Sequence, residues 1–185
     1  MLVDNRLAEI NSTGQMKYPV VPTEMAAGPV DDEGWIPWKA IPSTITYEEI
    51  TDLQDKIGYK LPTLFIDLLL YKHFLELNYQ NIRFLPLPSN EGIHAVRAWV
   101  QDQSKTLNWL QNGYIIFAFS TDDESYYCFV ARQPLHYENS PELDYPVVLR
   151  DPTNEGIQKD KIIYNSFADL VESLIGVGKI DQRHK

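Results

Sequence analysis

The chain has 185 residues, 44% hydrophobic and 12% aromatic, which is enough for one globular domain with a sizeable core and too apolar for a disordered chain. Its formal charge of −10 and pI near 4.8 repel phosphate backbones and anionic lipid surfaces, arguing against direct nucleic-acid or membrane binding and favouring encounters with basic proteins. The single cysteine, Cys128, forbids an internal disulfide, Asp4, Arg6 and Glu9 interrupt any signal-like N-terminal run, and no stretch is long enough to cross a bilayer, so a reduced, cytoplasmic setting is expected.

Residues 1–40 read as an N-terminal extension, not a second domain, because Pro19, Pro22, Pro29 and Pro37 with Gly14, Gly28 and Gly34 break any periodicity. Trp35, Ile36 and Trp38 are too apolar to leave in water, so the end of this extension is expected to pack on the domain, with Asn11 to Gln15 mobile. The alternative use of the tryptophan pair is a peptide-binding patch.

A domain over 41–180 then opens with two helices. Thr46-x-x-Glu49 forms a capping box, Ile50, Leu53 and Ile57 make one apolar stripe, and Gly58 follows where a left-handed cap costs glycine least. Pro62 suits the first turn of a second helix, whose apolar face runs through Phe65, Leu68, Leu69, Tyr71 and Leu75. Ile82 to Leu87 reads as a short strand that Pro86 ends or pushes to a sheet edge. Ile93 to Leu110 is helical in composition with a potential break at Gln101 to Ser104, and Gly113 is the natural stop. Tyr114 to Phe119 fits a central strand buried on both faces, and Tyr126 to Ala131 is its hairpin partner. Strands return at Tyr145 to Leu149 and Lys161 to Tyr164 around a turn at 152–156, implying a meander. Ser166 with Asp169 caps a last helix that buries Phe167, Leu170, Val171 and Leu174 until Gly176, and a polar tail, 181–185, closes the chain. Helices first, strands in the middle and a helix last give an α+β fold, an antiparallel multi-stranded sheet packed with about four helices.

The Thr-initiated helix closing on Gly58-x-x-Leu61-Pro62, with Phe65 three residues on, resembles the opening of the SUKH superfamily. Two later stretches fit the same pattern: Gly113-Tyr-Ile-Ile-Phe-Ala followed by acids and Tyr127-Cys-Phe129, and Asn165-Ser-Phe167-Ala-Asp-Leu170. The three span residues 44–176, and their order carries the resemblance more than any one of them. It implies a non-enzymatic protein-binding domain, most concretely a bacterial immunity protein that neutralises a nuclease or deaminase toxin by occlusion. The other reading it permits is a regulatory scaffold like the fungal cell-wall-synthesis regulators. Two departures stand out. Acids occupy a loop where family members often carry glycine, and Tyr71-Lys-His-Phe74 replaces an Asn-Gly, so the second helix is expected to run longer here.

The loop Thr121-Asp122-Asp123-Glu124-Ser125 joins two apolar strands and concentrates carboxylates at a hairpin tip, where a basic toxin domain could meet them. Asp122, Asp123 and Glu124 are therefore the candidate partner-binding residues, against the plainer reading of a solvated turn. The Asp-x-Asp-x-Asp-Gly spacing of a calcium loop is absent. Asp31-Asp32-Glu33, Glu48-Glu49 and Glu24 suggest a second acidic patch or ordinary solvated faces. His73, His94, His136 and His184 are too scattered for a metal signature, and Cys128, alternating with Tyr127 and Phe129, reads as core and not as a nucleophile. No cofactor is expected, and an enzyme whose groups converge only in the fold is the third reading.

Overall fold

The computed structural model describes Asp4 and residues 16–103, 108–136, 142–153 and 161–180. Asn11–Gln15, the end of the 152–156 turn, His184 and the tail 181–185 lie outside the described residues. Short paired segments come first. β1 (Lys17–Tyr18) runs antiparallel to β2 (Ile36–Pro37), and β3 (Ile41–Pro42) pairs antiparallel with β4 (Lys72–His73). Trp38 is 1% exposed and shares the main core with Met16 and Met25, whereas Trp35, expected to pack with it, is 42% exposed.

α1 (Tyr47–Ile57) has the capping box in full: Glu49 N donates to Thr46 Oγ1 at 3.2 Å and Thr46 N donates to Glu49 Oε2 at 2.8 Å. Gly58 closes it at φ 75°, in the left-handed region where a Cβ would be strained. The buried Gln54 then accepts from Leu61 N at 2.8 Å, fixing the turn into α2 (Thr63–Tyr71). α2 does not run on as expected. It stops at Tyr71, because Lys72 and His73 take extended backbone and pair with Pro42 and Ile41. The His73 side chain secures this switch from inside: Nε2 accepts from Thr44 N at 2.9 Å and Nδ1 meets Leu87 O at 3.2 Å.

β5 (Asn78–Tyr79) and β6 (Ile82–Phe84) follow. β6 ends before Pro86 yet pairs on both sides, so the proline terminates the strand without making it an edge. α3 (Ile93–Arg97) passes into a π-helical stretch at Ala98–Gln103, and a 3-10 turn at Leu110–Asn112 closes on Gly113 at φ 74°. β7 (Tyr114–Ser120) and β8 (Tyr126–Val130) form the central hairpin. A small ladder joins β9 (Leu135–His136) to β10 (Leu143–Asp144), and β11 (Val147–Arg150) and β12 (Ile162–Tyr164) complete the strands. The main sheet is an antiparallel meander of six strands in the order β12-β11-β8-β7-β6-β5.

α4 (Phe167–Ile180) runs past Gly176, where the apolar pattern alone suggests an end. Ser166 Oγ caps it as expected, accepting from Asp169 N at 2.9 Å. The unexpected cap is Asp144, a buried carboxylate that accepts from Phe167 N at 2.9 Å and Ala168 N at 3.0 Å. Those N–H groups would otherwise be orphaned at the positive end of the helix.

The two faces of the sheet carry separate cores. On the helix face Phe117 stacks on Phe129 with ring centres 4.2 Å apart, and Phe65 of α2 and Phe167 of α4 meet Phe129 edge-on at 5.3 and 5.2 Å. The opposite face holds Leu85, Trp109, Tyr114, Ile116, Cys128, Val130 and Val148. A register irregularity between Ile116 and Ala118 lets Phe117 and Ala118 both face the helices, so Phe119 returns to the other side. This single extra residue decides where Phe119 points, and Phe119 belongs to the candidate site.

Candidate partner-binding site

The tip joining β7 to β8 is a tight, self-bonded turn. Ser120 N donates to Ser125 O at 2.8 Å, Asp122 N donates to Ser120 Oγ at 3.2 Å, and Ser125 N donates to Asp123 Oδ1 at 2.8 Å. Thr121 N donates to Asn81 O at 2.9 Å and anchors the tip to the β5–β6 turn. Asp122, Asp123 and Glu124 are all exposed at this tip. The bond from the Ser125 backbone holds the Asp123 carboxyl below the usual carboxylate range. The field of the tip also reaches inward: burial first, then Tyr164, Asp122 and Asp123, pushes the Tyr127 hydroxyl up to about 12.

Asp123 and Glu124, but not Asp122, border a notch of about 290 Å³ whose other walls include Trp99, Phe119, Tyr126 and Pro152. Trp99 comes from the π-helical stretch and stacks on Phe119, with ring centres 6.2 Å apart and planes at 28°. These three aromatics are half-buried while Ile116, Cys128 and Val148 beneath them are fully buried. Asp151 adds a further carboxylate beside the tip. β11 pairs Arg150 with Tyr126, so the next residue lies near the hairpin end, and two bonds from Thr153 hold the Asp151 carboxyl below the usual carboxylate range against burial and the nearby charge of Asp123. Arg83, opposite Phe119 in the β6–β7 register, holds its guanidinium 5.6 Å from the Phe119 ring centre and is tied to Asn78 and Glu76. Arg150 lies over the rings of Tyr114 at 4.1 Å and Trp109 at 5.3 Å. The acids and three half-buried rings are thus brought to one end of the sheet.

Sequence reasoning names the three loop acids, of which Asp123 and Glu124 border the notch, and does not name Trp99, Phe119, Tyr126, Pro152 or Asp151 as site residues. Phe119 and Tyr126 carry strand signals that specify no face, because the bulge at Phe117 leaves no local mark. Trp99 reads only as an apolar point on a helix.

The remaining candidates separate cleanly. His73 is buried and packs, with burial lowering its basicity, while His94 and His136 are exposed. Cys128 is fully buried on the central strand β8. Among the described residues no group of three His, Cys, Asp or Glu side chains could hold a metal ion, and no helix is long and apolar enough to cross a membrane. Of the acids near the start, Glu24 accepts from Ser89 Oγ at 2.6 Å and Asp31 pairs with Lys17 at 2.8 Å. A separate apolar groove of about 300 Å³ lies between α2 and α4, walled by Leu64, Leu68, Leu77, Phe84 and Val171. Asp4 reaches its rim, pairing with Lys72 at 2.5 Å and bonding to the hydroxyl of Tyr71.

The model of the SMI1 / KNR4 family (SUKH-1) matches residues 44–173, more than half of the chain. The chain belongs to the SMI1 / KNR4 family. The match starts at the helix pair with its capping box and ends within α4, so it takes in the whole six-stranded sheet and the acidic tip. The SUKH resemblance and the α+β architecture read from the residues are both borne out. A comparison with curated proteins finds no match.

Proposed function

We propose that this SMI1 / KNR4 family chain works by binding a protein partner rather than by chemistry, as a cytoplasmic immunity protein that neutralises a cognate toxin. The observation that carries this reading is the union of the exposed acids Asp122, Asp123 and Glu124 with half-buried aromatic rings at one end of the sheet. A nuclease or deaminase toxin presents a basic groove to its substrate, and an acidic surface can fill that groove. The formal charge of −10 steers the encounter, and desolvated rings slow dissociation. The acids are well suited to this work because the turn is held by its own backbone and hydroxyl bonds, which lowers the entropy lost on docking.

The test is co-expression with the product of the neighbouring reading frame, comparing the native chain with Asp122→Asn, Asp123→Asn and Glu124→Gln combined. An immunity protein captures one partner tightly and loses it when the tip is neutralised. Several weak partners retained by both chains would instead make it a regulatory scaffold, and undiminished capture of a single toxin would remove the tip from the interface.

A further inference from the structure

The notch beside the acidic tip is walled by both aromatic and carboxylate-bearing residues. We propose that it receives an arginine side chain of the partner, the guanidinium lying against the Trp99, Phe119 and Tyr126 rings with its N–H groups directed to Asp123 and Glu124. This deepens the reading of the tip as a partner-binding surface and rests on it.

Three observations carry it. The opening, about 290 Å³, is lined by both aromatic and carboxylate-bearing residues, and a flat, delocalised cation can satisfy both at once. An aliphatic side chain would leave the carboxylates facing apolar surface, and an anion would be repelled by Asp123, Glu124 and the neighbouring Asp151. The same aromatic wall already accepts a guanidinium from within the chain, since Arg83 lies 5.6 Å from the Phe119 ring centre, bonded to Asn78 and Glu76. Finally, among the described residues, the nearby guanidinium groups of Arg83 and Arg150 are engaged elsewhere: Arg83 in that contact and Arg150 on the rings of Tyr114 and Trp109. Arginine is favoured over lysine because its planar fork stacks on a ring and donates to two carboxylates together, whereas an ammonium is a compact, more strongly hydrated point charge.

The experiment titrates the full chain with Nα-acetyl-arginine amide, Nα-acetyl-lysine amide and the neutral, isosteric Nα-acetyl-citrulline amide, following the Trp99 indole N–H and the backbone amides of 119–126 by NMR. The expected result is a shift centred on Trp99 and the tip, with arginine amide binding at least about fivefold more tightly than either other probe. Asp123→Asn with Glu124→Gln, both exposed and so tolerated by the fold, weakens arginine amide by at least about fivefold. A Trp99→Leu chain does the same while leaving the native spectrum elsewhere. Equal binding of citrulline amide, equal binding of lysine amide, or shifts centred away from Trp99 would each overturn the assignment. If arginine amide ignores the notch while toxin capture still depends on the tip acids, the arginine pocket fails and the immunity reading stands. If the notch selects arginine amide while toxin capture ignores the acids, the pocket stands and the tip is not the toxin-binding surface.

Discussion

The two faces of the central hairpin differ in what they do with the same residue types. On the helix face Phe117, Phe129, Phe65 and Phe167 close into a ring cluster with almost no exposed surface. On the other face Phe119, Tyr126 and Trp99 stop half-buried, beside carboxylates and arginines. Aromatic content alone therefore says little about role. A ring surrounded by rings stabilises the fold, and a ring left open beside charge is available to a partner.

The largest effect that would test this contrast lies across the bulge. Phe117→Ala removes a ring from the centre of the cluster and should cost about 3–5 kcal/mol, whereas Phe119→Ala, two residues along on the open face, should cost roughly 1–2 kcal/mol. Urea denaturation of the two variants decides it, and equal losses would mean that the notch face is as much core as its opposite.

Next in size is the cap that joins the sheet to α4. Asp144→Ala leaves the N–H groups of Phe167 and Ala168 without their acceptor and should cost about 2 kcal/mol, while Ser166→Ala, which frees one N–H, should cost about 1 kcal/mol. Neither change touches the tip, so capture of a partner at saturating concentrations should persist in both.

A third test uses pH. Burial lowers the His73 pKa below its ordinary value, so the unfolded chain binds a proton that the folded chain refuses. The stability this confers is present above the unfolded value near 6.5 and is lost as pH falls from there towards the folded value. Between about pH 7.5 and 5.5 the native chain should lose stability more steeply than a His73→Gln chain. Parallel curves would remove His73 as the source. Protonation of the carboxylates whose pKa values are lowered, Asp52 and Asp123 among them, acts at more acid pH and does not enter this window.

The smallest expected effect on stability is at the tip itself. Neutralising Asp122, Asp123 and Glu124 together should shift the unfolding free energy by no more than about 0.5 kcal/mol, because all three are exposed. A larger loss would make them turn-building residues instead of recognition residues, with Asp123 the one to suspect through its bond to Ser125.

Local chemistry is legible in the sequence, and long-range chemistry is not. The Thr46–Glu49 box, the Gly58 stop and the Ser166 cap each lie within a few residues of what they serve, and the structure has all three where the residues put them. The end of α2 escapes a local reading because its determinants are remote: Ile41 and Pro42 pair with His73 and Lys72, and Thr44 and Leu87 bond the His73 ring. Asp144 caps a helix that begins 23 residues later, and no spacing rule reaches that far. At the candidate site the three acids are visible because they are contiguous. The rings that give them a setting come from the π-helical stretch and both strands, brought together by one bulge and one cross-strand register.

Whether the acidic tip is the partner-binding end of the sheet is tested most directly by the dissociation constant for the captured partner, a toxin domain in the proposed reading, at low and raised salt, for the native chain and for the chain with all three tip acids neutralised. Neutralisation is expected to weaken binding by about tenfold or more at low salt and to flatten the salt dependence. Identical constants and identical salt slopes for the two chains would contradict a partner-binding tip.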